Sequence, residues 1–213
     1  MLTLYDYLPS QNGYKVRLLL NHLGRPYRSR LVGIFDGEAQ TGDFLAKNPA
    51  GAVPVLELDN GETLAESNAI LCYLAEGTPY LPAGTWQRAQ VLRWMFFEED
   101  YVQNGVASLR HWTLTGKLAR RSGETIAARR SVSLKTLAIL ERALTGREFL
   151  TEAGYTIADI SVFAYVGRAH EADLPLHEYA AVSRWLARVR EQPGFLDEVH
   201  PYSMDPHSGR ELP

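Results

Sequence analysis

Cysteine is nearly missing from this chain: Cys72 is the single thiol in 213 residues. One cysteine excludes an internal disulfide framework. Long apolar runs are missing as well. None approaches the roughly 20 residues of a membrane span, and the opening Met1-Leu2-Thr3-Leu4 lacks the charged and apolar regions of a secretory leader. The expected location is therefore the cytoplasm, with no membrane partner. There is no lysine-rich arm or tail, and a net charge of −3 gives no electrostatic footprint for nucleic acid. The histidines lack metal-ligand spacing, since His170-Glu171 is not followed by a second histidine four residues on. No Gly-rich phosphate loop or nucleophile elbow appears, so no metal or resident cofactor is expected. What remains is an ordinary globular composition, long enough for one large domain or two small ones.

The first third alternates strand and helix. Leu2, Leu4 and the neighbouring aromatics make a short strand. Val16, Leu19, Leu20 and Leu23 fall at helical spacing between Asn12 and Leu23, and Gly24 closes that run. Tyr27 to Val32 is a second strand behind Pro26, and Gly37 to Lys47 reads as a short helix ended by Asn48-Pro49. Parallel pairing through a right-handed crossover is the simplest link between the first two strands.

Residues 49–70, PAGAVPVLELDNGETLAESNAI, make the most specific demands on the backbone. Val53-Pro54 opens an apolar strand where proline removes a ladder donor, which points to a bulge, an edge or a cis bond. Asp59-Asn60-Gly61 reads as a hairpin turn, with Asn and Gly both supplying positive φ. The second strand of the hairpin, Glu62 to Leu64, leads to Glu66-Ser67 ahead of a helix from Asn68 to Glu76. Ser67 suits the N-cap, and the free N–H groups behind it can hold a small carboxylate. The order strand, helix, strand, helix, strand, strand, helix is a thioredoxin-like arrangement. The fold class is therefore α+β: a mixed four-stranded sheet with helices, followed by an all-α helical bundle.

Thr78 to Gly84 carries two prolines and a glycine and reads as a linker, giving domains at 1–78 and 86–213 around residues 79–85. Trp86 to Leu109, Glu124 to Leu144, Ile157 to Ala172 and Val182 to Glu191 are helical. Thr156-Ile157-Ala158-Asp159 is a capping-box variant that nucleates a buried helix. Cys72 falls in an apolar helix and reads as an inert core thiol. Lys15 and Arg17 read as solvated helix charges. Trp94, Phe97 and Tyr101 share a helix face suited to a pocket, a core or a dimer contact. The last dozen residues read as an irregular tail.

Three segments carry a family resemblance: SQNGYKVRLLLNHLG at 10–24, FLAKNPAGAVPVLELDNGETLAESNAILCYLAE at 44–76, and YTIADISVFAY at 155–165. Together they make the chain resemble a bacterial glutathione transferase over nearly its whole length. The resemblance implies a glutathione-binding N-terminal domain, a helical domain shaping the second-substrate pocket, and a homodimer. It implies that Val53 pairs its backbone with the cysteinyl part of glutathione, with Pro54 cis. Glu66 and Ser67 would then hold the γ-glutamyl amine and carboxylate.

The chemistry needs a donor that favours the glutathione thiolate in the field of a helix N-terminus. Ser10 and Asn12 both stand where the first strand meets the first helix. Serine-type members match at Ser10, and a second bacterial class pairs positions like Ser10 and Asn12 on the sulfur. Tyr5 and Tyr7 are the candidates for a tyrosine-type mechanism, while no cysteine starts the first helix. Two positions depart from the family: Ala52 replaces a long polar side chain, and Gln40 stands near a frequent arginine. Weaker glutathione binding is expected in consequence, with compensation by Lys15 and Arg17 as the alternative to their reading as solvated charges. Three readings follow: a transferase acting on a hydrophobic electrophile, a glutathione-dependent disulfide or peroxide reductase, and a non-catalytic module.

Overall fold

A computed structural model describes residues 1–213. The chain divides into two compact units, residues 1–76 with 193–213, and residues 77–192. The closing segment thus packs with the first unit rather than with the helical region to which its sequence position assigns it. No helix is long and apolar enough to cross a membrane.

The first unit holds β1 (Leu2–Asp6), α1 (Gln11–His22), β2 (Tyr27–Leu31), α2 (Gly42–Leu45), β3 (Val55–Glu57), β4 (Thr63–Ala65) and α3 (Ser67–Ala75). The sheet order is β2-β1-β3-β4. β1 and β2 are parallel, with Leu4 opposite Ser29. β3 is antiparallel to both neighbours, so Tyr5, Val55 and Ala65 line up across the sheet. This is the thioredoxin-like arrangement read from the sequence.

Two local expectations need correction. The turn at 58–62 has positive φ at Gly61 alone, not at Asn60. Leu58 donates to the Glu62 carbonyl at 2.8 Å and Gly61 to that of Leu58 at 2.9 Å, so a longer loop with one left-handed glycine replaces the two-residue turn. The helix expected over 37–47 is instead two 3-10 turns, Ile34–Asp36 and Glu38–Gln40, ahead of the four-residue α2. Gly37 adopts φ 81° between those turns, a break that glycine tolerates.

The second unit is helical: α4 (Thr85–Phe97), α5 (Ser108–Leu114), α6 (Gly123–Leu144), α7 (Ile157–Val166) and α8 (Ala180–Arg190). Residues Glu98–Ala107 join α4 to α5 as a π-helical segment, far longer than the single-turn bulges in which π geometry is normally met. Along this run Trp94 meets Phe97 edge-on at 5.1 Å, and Phe97 stacks on Tyr101 at 4.9 Å. The Ile157 helix stops at Val166, and a 3-10 turn covers Ala169–Ala172. Its capping box forms as expected, Thr156 and Asp159 exchanging side-chain bonds with each other's backbone. Every residue of α7 is buried.

Candidate functional site

The sheet register gathers the candidate residues at one end of the first unit. β1 and β4 finish there, and β3, running the other way, begins there. Ser10 follows β1, Val53-Pro54 precedes β3 and Glu66-Ser67 follows β4. β2 runs parallel to β1, so the loop that reaches Gln40 leaves from the same end. α1 and α3 start at this rim too, and their positive ends with free N–H groups favour an anion.

Ser10 is the N-cap residue of α1, yet its hydroxyl does not cap the helix. Its backbone N–H is held by the Tyr7 carbonyl at 2.8 Å, which fixes the residue and leaves the half-buried hydroxyl to act on something else. Asn12 lies in the first turn of α1, half-buried and already engaged in a contact of its own. Gly13 follows for a packing reason: a Cβ there would lie 1.8 Å from Asp6 Oδ1.

The Val53-Pro54 bond is cis. Val53 precedes the first ladder pair of β3, and its N–H and C=O find no partner within the chain. That leaves a short backbone edge able to accept an extended, peptide-like ligand. Asn48, itself buried, holds the preceding loop in place. Its amide donates to the Ala52 carbonyl at 2.8 Å and accepts from Ala50 N–H at 3.0 Å. Gln40 is exposed and spans 3.5 Å to the Gly51 carbonyl, a bond at the edge of useful geometry. Gly51 has φ 60°, and a Cβ there would fall 2.4 Å from Gln40 Nε2. Gln40 is thus a neighbour of the rim loop, with Ala52 exposed beside it.

The start of α3 lies one residue earlier than expected, with Glu66 and not Ser67 at the N-cap. Glu66 is the N-cap residue, at φ 67° and ψ 112°, a left-handed φ that costs a non-glycine residue about 1–3 kcal/mol and gathers at functional sites. Its side chain is exposed and forms no ion pair. Ser67 is the first residue of α3, buried, and its Oγ accepts from Lys15 Nζ at 3.3 Å. An ammonium only donates, so this bond orients the serine and leaves its own proton to be given away.

Lys15 and Arg17 correct the sequence reading outright. Both are buried, at 0% and 3% exposure, on a helix whose residues 13–20 are all buried. Arg17 is ion-paired with Asp6, reaches Glu198 at 3.1 Å and donates to the Leu8 carbonyl at 3.0 Å. Burial outweighs Arg17 and pushes the Asp6 carboxyl above its ordinary pKa. Cys72 is half-buried rather than part of the core, and sits six residues into α3, away from its start.

Of the tyrosines, Tyr5 is engaged elsewhere and the Tyr7 hydroxyl is buried. Tyr5 donates its hydroxyl to Glu57 at 3.0 Å. Tyr7 packs with Phe35 and Tyr202, with Val53 against the cluster. Its hydroxyl is buried without a hydrogen bond, although the Asp205 carboxylate stands close, and burial drives its pKa upward. The tail expected to be irregular is therefore anchored. Tyr202 is buried, and Asp36 is paired by both His207 and Arg210. Sequence order alone gave no signal for that return of the chain.

The chain is similar to known proteins over most of its length. The domain family described as glutathione S-transferase, N-terminal domain, matches residues 9–76, and its C-terminal counterpart matches residues 123–188. The disulfide-bond oxidoreductase YfcG of Escherichia coli is 30% identical over 206 residues, 91% of this chain and 92% of that protein. A crystal structure of a glutathione S-transferase from Pseudomonas fluorescens superposes with a TM-score of 0.89 at 39% identity. It covers 92% of this chain and 97% of its own. A glutathione transferase from Pseudomonas putida, solved with one glutathione disulfide per subunit, gives a TM-score of 0.78 at 28% identity, covering 91% and 88%.

Proposed function

The chain belongs to the glutathione S-transferase family, and from that premise we propose that it activates the glutathione thiol for attack on a hydrophobic electrophile. The observation that carries the reading is the shared rim. There an unpartnered Val53 backbone, the left-handed Glu66, the oriented Ser67 and the uncommitted Ser10 hydroxyl stand at one end of a single sheet. Glutathione lies extended on Val53. The Ser67 proton and the α3 N-terminus receive its γ-glutamyl carboxylate, and Glu66 receives the ammonium. Ser10 donates to the sulfur at the start of α1, with Asn12 as the second donor, and this favours the thiolate. The thiolate attacks the electrophilic carbon, forming a C–S bond, while the thiol proton leaves to solvent. Family membership also makes a homodimer the expected assembly.

A second reading uses the same rim for redox chemistry. The bound thiolate attacks a disulfide sulfur, forms a mixed disulfide and releases a thiolate. A second glutathione then resolves it, leaving glutathione disulfide. The similarity to YfcG and to the P. putida protein with its bound disulfide favours this route. The absence of a cysteine at the rim means that both sulfurs must come from glutathione.

Calorimetric titration with glutathione, glutathione disulfide and S-hexylglutathione tests the site. Turnover of 1-chloro-2,4-dinitrobenzene against 2-hydroxyethyl disulfide separates the two reactions. Ser10→Ala should lower kcat/KM by about a hundredfold with little change in glutathione affinity, as expected for a lost donor to developing charge. Full turnover in that variant would transfer the role to Asn12, and failure to bind any of the three ligands would sink the reading.

A further inference from the structure

Residues 193–213 return to the first unit and follow α1 backwards from its end. Asn21 donates to the Gly194 carbonyl at 2.9 Å, and the His22 ring stands 2.9 Å from that of Pro193. Further along, Tyr14 donates its hydroxyl to the Leu196 carbonyl at 2.8 Å, and Arg17 reaches Glu198. The segment then arrives at the end of β1. There Tyr202, in a short 3-10 turn, is buried against the Tyr7 ring at 6.0 Å between centroids. Phe35 completes the cluster edge-on to Tyr7, and Val53 packs against it. Two anchors keep Tyr202 in place. His207 and Arg210 both pair with Asp36, the neighbour of Phe35, and the Asp205 carboxylate accepts from His207 N–H at 2.8 Å.

This packing bears on the rim through the backbone. The Tyr7 carbonyl accepts the Ser10 N–H at 2.8 Å, and the Ser10 carbonyl accepts the Tyr14 N–H at 3.1 Å. The returning segment therefore grips the Ser10 turn on both sides, by the Tyr7 ring before it and the Tyr14 hydroxyl after it. Ser10 follows β1 and Val53 precedes β3, so a cluster shared by both couples the two loops. Interiors are packed as densely as crystals, and a lost ring shifts its neighbours. A misplacement of about 1 Å at a reacting group can cost a hundredfold in rate.

We infer that Tyr202 is a positioning residue of the rim: its ring, wedged against Tyr7, holds the Ser10 hydroxyl and the Val53 backbone in place for one bound glutathione. The role rests on the glutathione reading proposed above. Tyr202 acts through Tyr7 and Val53 and not by contact with the sulfur.

Tyr202→Leu, Tyr202→Phe and Met204→Ala in the full chain test the role, the last being an exposed neighbour on the same turn. In Tyr202→Leu, kcat/KM should fall about thirtyfold, with glutathione affinity down about fivefold. The rising limb of its pH–rate profile should move to higher pH, because a misplaced donor favours the thiolate less. Tyr202→Phe keeps the ring and should restore all three, while Met204→Ala should match the wild type. Hydrogen exchange without ligand gives an independent reading. The Ser10 amide and the chain around Val53 should exchange about tenfold faster in Tyr202→Leu alone. A leucine variant that unfolds at lower urea yet keeps the wild-type kcat/KM and pH profile overturns the positioning role. So does wild-type exchange at Ser10, and a loss in Tyr202→Phe equal to that in Tyr202→Leu overturns the part given to the ring. Should Tyr202→Leu fail to fold, Asp36→Asn slackens the anchor from the surface and should give smaller effects of the same sign; no effect there overturns the role. If the wild type itself binds no glutathione, the reading of the rim falls and this role with it. That outcome is distinct from glutathione binding that Tyr202→Leu leaves unchanged.

Discussion

Asp6 in the first unit and Asp159 in the second are both buried beside the start of a helix, and the two are kept by different means. Asp6 lies against the first turn of α1, where Gly13 makes room for it, and is held by the Arg17 guanidinium and the Tyr7 N–H. Asp159, in the first turn of α7, has no cation. It accepts from Leu150 N–H and Thr156 N–H, both at 3.0 Å, and from the Trp185 indole at 2.9 Å. The charge of Asp6 is cancelled, while Asp159 is surrounded with dipoles. Cancelling a charge ties together whatever supplies the opposite one: Arg17 joins the end of β1, α1 and, through Glu198, the returning tail. Dipoles tie together a local knot of the α6–α7 connection, α7 and α8. Burial raises both acids, Asp159 to about 6.

The comparison breaks first at Arg17. Arg17→Met should cost about 4 kcal/mol in urea unfolding, because a buried pair that loses one partner leaves an uncompensated charge. The double variant Asp6→Leu/Arg17→Met should recover a large part of that loss. Additive losses would show that Arg17 acts through Glu198 and Leu8 instead.

Asp159 should give a smaller effect with its own pH signature. Asp159→Asn puts a donor where the knot needs an acceptor, costing about 2 kcal/mol near neutral pH. In the wild type the folded acid, at about 6, holds its proton more tightly than an unfolded aspartate near 4. The native state therefore binds the extra proton between those values, and wild-type stability attributable to Asp159 is greatest below pH 4 and is lost as pH rises to 6. The variant cannot titrate. Its stability deficit relative to wild type should shrink from pH 4 to 6 and stay flat above. A deficit independent of pH would mean that Asp159 is already ionised in the fold at pH 4.

Much of this was legible in the sequence, for identifiable reasons. Pro54 within an apolar run, Gly61 in the hairpin and Thr156-Asp159 are local signals, and local backbone demands decide them. Lys15 and Arg17 misled because periodicity assigns cations to the solvated side, whereas residues 13–20 of α1 are buried throughout. The partners that make this tolerable lie far off in sequence, Glu198 by 181 residues and Ser67 by 52. Tyr202 escaped for the same reason. The shift of the N-cap from Ser67 to Glu66 is subtler. Serine before an apolar run signals a cap, but a left-handed residue moved the boundary by one and turned Ser67 inward.

That inward turn leads to the smallest expected effect and the most specific one. Lys15 is fully buried and donates to Ser67 Oγ; on the proposed reading, Ser67 in turn donates to the γ-glutamyl carboxylate of glutathione. Replacing Lys15 by methionine keeps the length and apolar stem of the side chain but removes its charge and its donors. Ser67 can then rotate toward the α3 backbone, and its proton is no longer directed outward. Glutathione affinity should fall about fivefold, near 1 kcal/mol, the scale of a single hydrogen bond. Binding of cysteinylglycine, which lacks that carboxylate, should not change. If both ligands lose affinity equally, Lys15 supports the packing of α1 and has no directing role at the rim. A loss confined to glutathione would place a residue of the helix interior in the recognition of the ligand's far end.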